Sequence, residues 1–267
     1  MDISDIKKLA QQNKVVPFIG SGFSMSLDFP SWGTIIRELA IELDWDSDVF
    51  MQSGNNNYLQ LAEYYCIIKG GRSELRRLME KKMYLADDII KASVLHQKLV
   101  QLSPKIIYTT NYDEAIESSF RVHNKNHTVI RNINDFVNSQ DGNTLIYKFH
   151  GDFIHENSLV LTESSYFDRL SFDHPLDIRL RSDVLNNTLL FLGYSLSDIN
   201  MRYLFYKLGH IQSQLNKNSQ HKTAIMVTFN ISEIQKAILR QWKIETYELD
   251  PIDKTQSLID FLEKLMS

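Results

Sequence analysis

Short apolar runs recur along the chain, and most are followed by stretches whose apolar positions fall three and four apart. Val15–Ile19, Ile106–Thr109, His127–Ile130, Leu145–Phe149, Leu189–Leu192, Ala224–Phe229 and Ile244–Leu249 are the strand candidates. Several are apolar at consecutive positions, the pattern of parallel strands covered on both faces. Pro17 conflicts with a place in a central strand, because proline has no ladder donor, yet the glycine turn that follows needs a strand to leave from. Between the first two runs, Trp32–Leu43, Tyr58–Ile68, Ser73–Met83 and Ile89–Leu102 all carry helical spacing. The first strand therefore reaches the second through a long helical excursion. A last helix from Lys254 has Leu258, Phe261, Leu262 and Leu265 on one face, after an Asp253 cap with Gln256 three residues on. Alternating strands and helices predict an α/β fold with a doubly wound, mostly parallel, Rossmann-like sheet. The expected organisation is one domain over residues 1–267 with a helical insertion at about 32–103.

Composition narrows the function classes. The 267 residues hold 29 Lys+Arg against 33 Asp+Glu, a formal charge of −4, which leaves no footprint for non-specific nucleic-acid binding. Arg72, Arg76, Arg77, Lys81 and Lys82, flanked by Glu74 and Glu80, read as a solvated helix face, with partner contact as the second reading. The single cysteine, Cys66, cannot build a disulfide or a multi-thiolate zinc site. His123 and His127 are four apart but lack a carboxylate pair to complete a metal set, so no metal is expected. No apolar run approaches the roughly 20 residues of a membrane helix. The acidic start, Met1 to Asp5, lacks a signal core. A cytoplasmic protein is expected.

Ligands of doubly wound sheets bind beyond the carboxyl ends of the strands, and four such ends carry chemistry. Gly20-Ser21-Gly22-Phe23-Ser24 follows the first run; its paired glycines let backbone come close to a diphosphate and free amide N–H groups to point at it, although Met25 stands where a dinucleotide fingerprint has its third glycine. Thr109-Thr110-Asn111-Tyr112-Asp113 crowds polar side chains beyond what one helix cap requires. Phe149-His150-Gly151-Asp152 brings a histidine off an apolar strand, where an imidazole can exchange protons near neutral pH. Gly193-Tyr194-Ser195 supplies a second glycine turn.

In this order, the glycine loop, Thr110-Asn111-Tyr112-Asp113, His150-Gly151 and Gly193-Tyr194-Ser195 resemble the sirtuin-like superfamily, in its bacterial branch of NAD-consuming immune effectors. Pro30 and Trp32 are similar to that branch too. The resemblance implies a sirtuin-type fold and an NAD+ glycohydrolase that cleaves NAD+ to nicotinamide and ADP-ribose as the toxic effector of antiphage defence. It implies that Gly20, Ser21, Gly22, Phe23 and Ser24 hold the diphosphate and nearby ribose. Thr110 precedes the key asparagine, and Gly193 and Ser195 line the adenosine side. Asn111 orients the nicotinamide ribose and the attacking water, Asp113 braces the nicotinamide end, and His150 accepts a proton. NAD is implied as substrate, with no metal. Gating by a homo-oligomer or by a separate sensor or ATPase protein is implied as well, because the chain ends soon after the fold. Thr110 stands where deacylating sirtuins have glutamine, and their four-cysteine ribbon is missing. Protein deacylation is therefore the weaker alternative, beside a module that binds NAD or ADP-ribose without cleaving it.

Overall fold

A computed structural model of the chain describes residues 2–137, 142–169, 174–194, 199–214 and 224–267. The strands are β1 (Val15–Ile19), β2 (Ile106–Thr109), β3 (His127–Ile130), β4 (Thr144–Lys148), β5 (Thr188–Leu192), β6 (Ala224–Thr228) and β7 (Ile244–Glu248). They form one parallel sheet in the order β3-β4-β2-β1-β5-β6-β7. Every predicted strand is present, with ends displaced by a single residue in four of them. The strands β1, β5 and β6 are buried along their whole length, as expected where helices cover both faces.

Pro17 does sit in a central strand, and the register explains why it is tolerated. The Gly20 amide donates to Leu192 O at 2.9 Å, so the even positions of β1 face β5. By alternation the Pro17 nitrogen faces β2, and pairing with β2 begins only at Phe18. The missing donor falls where the ladder has not yet started.

One face of the sheet is covered by helices Ile3–Gln11, Val94–Gln101, Ala115–Val122 and Lys254–Met266, whose Ile6, Leu95, Leu99, Ile116, Phe120 and Leu262 pack on Ile19, Ile107 and Ile225. The opposite face carries helices Pro175–Asp183, Ile199–Gln214 and Glu233–Gln241 over an aromatic row in which Phe18 stacks with Phe191 at 4.9 Å and with Tyr108 at 5.7 Å. The excursion after β1 builds a separate cluster. Its helices Trp32–Glu42, Ser47–Ser53, Tyr58–Lys69 and Ser73–Lys82 bury Ile35, Leu39, Phe50, Tyr65 and Met79 together with Phe153 and Leu161 from the segment after β4. A roof of helices is thus fastened over the carboxyl end of the sheet.

Two helix expectations change. Ile89–Leu102 is not continuous: Asp87–Ala92 and Val94–Gln101 are separated by Ser93 in extended conformation, its Oγ 2.9 Å from His96 Nδ1. Ile90 packs with Leu27 and Ala115, whereas Leu95 and Leu99 belong to the cluster under the sheet, and a straight helix cannot serve both directions. At the last helix Asp253 caps the Gln256 amide at 2.9 Å, but the Gln256 side chain bonds Asp260 instead of closing a capping box. No helix among the described residues is long and apolar enough to cross a membrane.

The helix Ile199–Gln214 packs so closely on Trp242 that a Cβ at Gly209 would lie 2.4 Å from the Trp242 carbonyl oxygen. Alanine is the better helix former by about 1 kcal/mol, yet Gly209→Ala is expected to lower the denaturant midpoint, because overpacking against fixed backbone costs about 1–3 kcal/mol. A raised midpoint would show that the two elements separate easily.

Candidate active site

The site is built where β1 and β5 lie side by side and their following segments cross. The Gly22 amide donates to Gly193 O at 2.9 Å, and a Cβ at Gly20 or Gly22 would lie 2.7 or 2.8 Å from that same oxygen. Gly193 has φ +72°, and a Cβ there would lie 2.3 Å from Phe23 N. Glycine is required on both sides of the crossing. The amides of Gly20, Gly22 and Phe23 are therefore bonded inside the fold, to Leu192 O, Gly193 O and Gly20 O. This corrects the expectation that the paired glycines present free amides: their role here is close backbone approach. The Phe23 ring is buried in the core, edge-on to His96 at 5.0 Å, and does not line the cavity. The expected Ser195 lies outside the described residues.

Beyond the crossing is a cavity of about 180 Å³ whose lining includes Ser21, Ser24, Thr110, Asn111, Asp113 and His150. Six of the residues expected from three strand ends thus meet in one place. Thr110 Oγ1 lies 2.6 Å from Tyr194 Oη, joining the β2 loop to the β5 loop across β1. Asn111 is 4% exposed. Its amide nitrogen Nδ2 donates to Gly20 O at 3.2 Å and to Ser24 Oγ at 2.9 Å. Ser24 Oγ in turn donates to Asp113 Oδ1 at 3.2 Å, and that oxygen also accepts from the Ala115 amide at 3.0 Å. The relay has one direction, carboxamide to hydroxyl to carboxylate, and it uses both hydrogens of the Asn111 amide. Among the described residues Asn111 Oδ1 is left buried with no hydrogen-bond partner, a state buried polar atoms rarely show. Asp113 both caps the helix Ala115–Val122 and ends this relay. Burial raises its carboxyl above the usual range, and Lys148 opposes that rise.

His150 follows β4 by two residues. Gly151, at φ +77°, turns the chain where a Cβ would strike Ser158 O at 2.2 Å. The imidazole is 3% exposed, 5.2 Å from the Tyr166 ring and 6.3 Å from Tyr112. Burial, assisted by the charge of Arg169, pushes its pKa down to about 3. It is a neutral acceptor across the physiological range.

The walls come mostly from residues the motifs do not contain, Met25, Phe29, Met79, Met83 and Tyr166, beside Tyr112 of the segment after β2. Tyr112 Oη donates to Val160 O at 2.6 Å. Tyr166 is placed by its own helix, Glu163–Arg169, whose Ser164 amide donates to Glu63 of the roof at 2.9 Å. Arg169 lies 4.7 Å over the Phe149 ring and pairs with Asp177 at 2.8 Å. An aromatic residue three before an arginine on one helix was the only sequence signal for this side. The basic face of Ser73–Lys82 has a structural function. Arg76 Nε donates to Phe153 O at 2.7 Å and Arg72 to Leu159 O at 3.3 Å, tying the roof to the segment after His150, while Arg76 also pairs with Glu80 and Lys82 with Glu38. Among the described residues no cluster suited to a metal ion occurs.

A family model described as "SIR2-like domain" matches residues 105–252. Proteins named NAD(+) hydrolase ThsA are similar to this chain: that of Bacillus cereus (strain MSX-D12) is 27% identical over 208 residues, 77% of this chain and 42% of the relative. That of Enterococcus faecium is 29% identical over 228 residues, 84% of this chain and 45% of the relative. Defense-associated sirtuin 2 of Bacillus subtilis is 26% identical over 278 residues, 97% of this chain and 26% of the relative. The chain spans less than half the length of these relatives.

The buried histidines make stability depend on pH. His150 and His96 are neutral when folded, their pKa values pushed down by burial to about 3 and about 4, whereas an unfolded histidine titrates near about 6.5. Between those values the unfolded chain binds more protons, so stability is full above the unfolded pKa and is lost as pH falls below it. Urea unfolding is expected to show a plateau above about pH 7 and a decline towards about pH 5, on the order of 1.4 kcal/mol per pH unit for each buried histidine. A flat profile across that window would mean that both rings charge freely in the fold.

Proposed function

This chain belongs to the SIR2-like domain family, and from that premise we propose that its cavity cleaves NAD+ to nicotinamide and ADP-ribose. The observation that carries the reading is the pairing of Asn111 Oδ1, a buried acceptor with no partner among the described residues, with the neutral imidazole of His150 in one aromatic-walled cavity. A ribose hydroxyl or a water is the donor that such an oxygen lacks. The planar nicotinamide ring fits between side chains such as Trp32, Tyr112 and Tyr166, and about 180 Å³ matches the nicotinamide ribose end of the dinucleotide more than the whole of it. Ser21 and Ser24 are on hand for the ribose and phosphate oxygens, and Asp113 braces the site by holding Ser24.

In hydrolysis the bond between the nicotinamide nitrogen and the ribose C1′ breaks, and its electron pair leaves with nicotinamide, which becomes neutral. Positive charge spreads over C1′ and the ring oxygen. A water oxygen bonds to C1′ and its proton passes to His150, then to solvent. Water attached to such a carbon is strongly acidic, so a base whose conjugate acid titrates at about 3 is sufficient. The walls exclude competing nucleophiles and keep the water where Asn111 orients it.

The name of one relative, Defense-associated sirtuin 2, supports a role in defence, which this reading takes as defence against phage. Unrestrained NAD+ cleavage would empty the cell of the dinucleotide, so the same reading includes control by a partner protein or by homo-oligomer assembly, in the cytoplasm, with the roof helices and the sheet acting as one domain. Purified protein is expected to release nicotinamide from NAD+ without an acyl-lysine peptide, and folded Asn111→Ala and His150→Ala to do so about 10²–10⁴-fold more slowly. Wild-type rates in folded His150→Ala would remove that base. Tight NAD+ binding without release would identify a binding module, and release that requires peptide would identify a deacylase.

A further inference from the structure

Lys148, the last residue of β4, is 1% exposed and lies two positions before His150. Its Nζ donates to the backbone carbonyl of Asp113 at 2.6 Å and pairs with Glu117 Oε1 at 3.0 Å. Asp113 and Glu117 are each only 6% exposed. One base and two acids, from the strand, from the loop after β2 and from the helix Ala115–Val122, are thus withdrawn from water together. Such a cluster is a poor device for stability alone, since apolar side chains of the same size do as well at lower desolvation cost. What an apolar side chain cannot do is hold a carbonyl.

That carbonyl belongs to the segment that carries Asn111, and the carboxylate of the same Asp113 ends the relay that orients the Asn111 amide. We propose that Lys148 is a positioning residue, tying the strand that delivers His150 to the loop that delivers Asn111 so that the two reactive groups stay in register across the cavity. Lys148 does not line the cavity; it acts through Asp113. The proposal rests on the reading of function given above and names a component that the motifs do not include.

Lys148→Met alone leaves Glu117 buried without a cation and can fail to fold, so the informative comparison is Lys148→Met/Glu117→Gln against Glu117→Gln. Both remove the acid, but only the first removes the donor to the Asp113 carbonyl. Glu117→Gln is expected to keep kcat within a few-fold of wild type. The double variant is expected to lose about tenfold to a hundredfold in kcat, with KM for NAD+ little changed. It should also acquire a kcat limb that rises with pH. The charged groups facing the Asp113 carboxylate are Lys148 from β4 and Glu117 from the helix, beside the Ser24 hydroxyl and the Ala115 amide. Without the lysine the carboxyl, already raised by burial, rises further, and as the neutral acid it holds the Ser24 hydroxyl more weakly than the carboxylate does. A role in stability alone predicts a loss that follows the unfolding midpoint and brings no new limb.

Hydrogen exchange of the Asn111 side-chain amide, followed by NMR, reads the same positioning without turnover, and it should quicken in the double variant but not in Glu117→Gln. If wild type releases no nicotinamide, the functional reading falls, and the exchange measurement still decides the role of Lys148. A folded double variant with wild-type kcat, pH profile and Asn111 exchange overturns the proposal.

Discussion

The contact on which the site depends is the one between two backbones, the Gly22 amide on the Gly193 carbonyl. The strands β1 and β5 are neighbours, but the chain leaves them toward opposite halves of the sheet, β2 on one side and β6 on the other. Divergence of this kind opens a crevice at the carboxyl ends. Here the bottom of the crevice is closed by the crossing, which sends Ser21 and Ser24 toward the loop after β2. The Thr110–Tyr194 hydroxyl contact bridges the same gap one layer higher. Side chains on either glycine would separate the loops, and the Asn111 amide would lose Gly20 O and Ser24 Oγ together.

On that floor the protein assembles a polar relay inside apolar walls. Low local polarity strengthens each bond of a fully satisfied network and makes any orphan within it costly. Among the described residues the relay from Asn111 through Ser24 to Asp113 leaves only one carboxamide oxygen without a partner, so the unmet demand is concentrated at a single point of the cavity lining. The same environment keeps His150 uncharged and leaves it free to accept. The helical roof completes the enclosure. Its attachment through Arg72 and Arg76 to carbonyls of the segment after His150 makes the roof part of the machinery that places the imidazole.

Much of this was legible along the chain because burial on both faces of a parallel strand leaves an apolar run, and such a run marks where a strand ends. The residues after β1, β2, β4 and β5 could be identified as candidates because chemistry follows strand ends in this class of fold. Other features have no one-dimensional signature. Ser93 breaks a periodic stretch because the residues on either side of it belong to different packing clusters, and periodicity cannot register direction in space. Arg72 and Arg76 look solvated in a helical projection, yet they bond carbonyls 87 and 77 residues away. Lys148 reads as an ordinary strand terminus, and only the position of Asp113 and Glu117 beside it gives its burial a purpose.

The chain's own pattern determined the seven strands and their parallel, doubly wound arrangement, and it singled out Asn111, Asp113 and His150 as the polar residues that follow strand ends, because each depends on neighbours within a few residues. Tertiary structure alone decided that the glycines serve to bring two loops together, that Phe23 turns into the core, that Tyr112 and Tyr166 face His150, and that one oxygen of Asn111 has no partner among the described residues. Those outcomes depend on which distant segments share a small volume, and satisfaction or denial of a buried hydrogen bond is a property of that shared volume, not of any stretch of sequence.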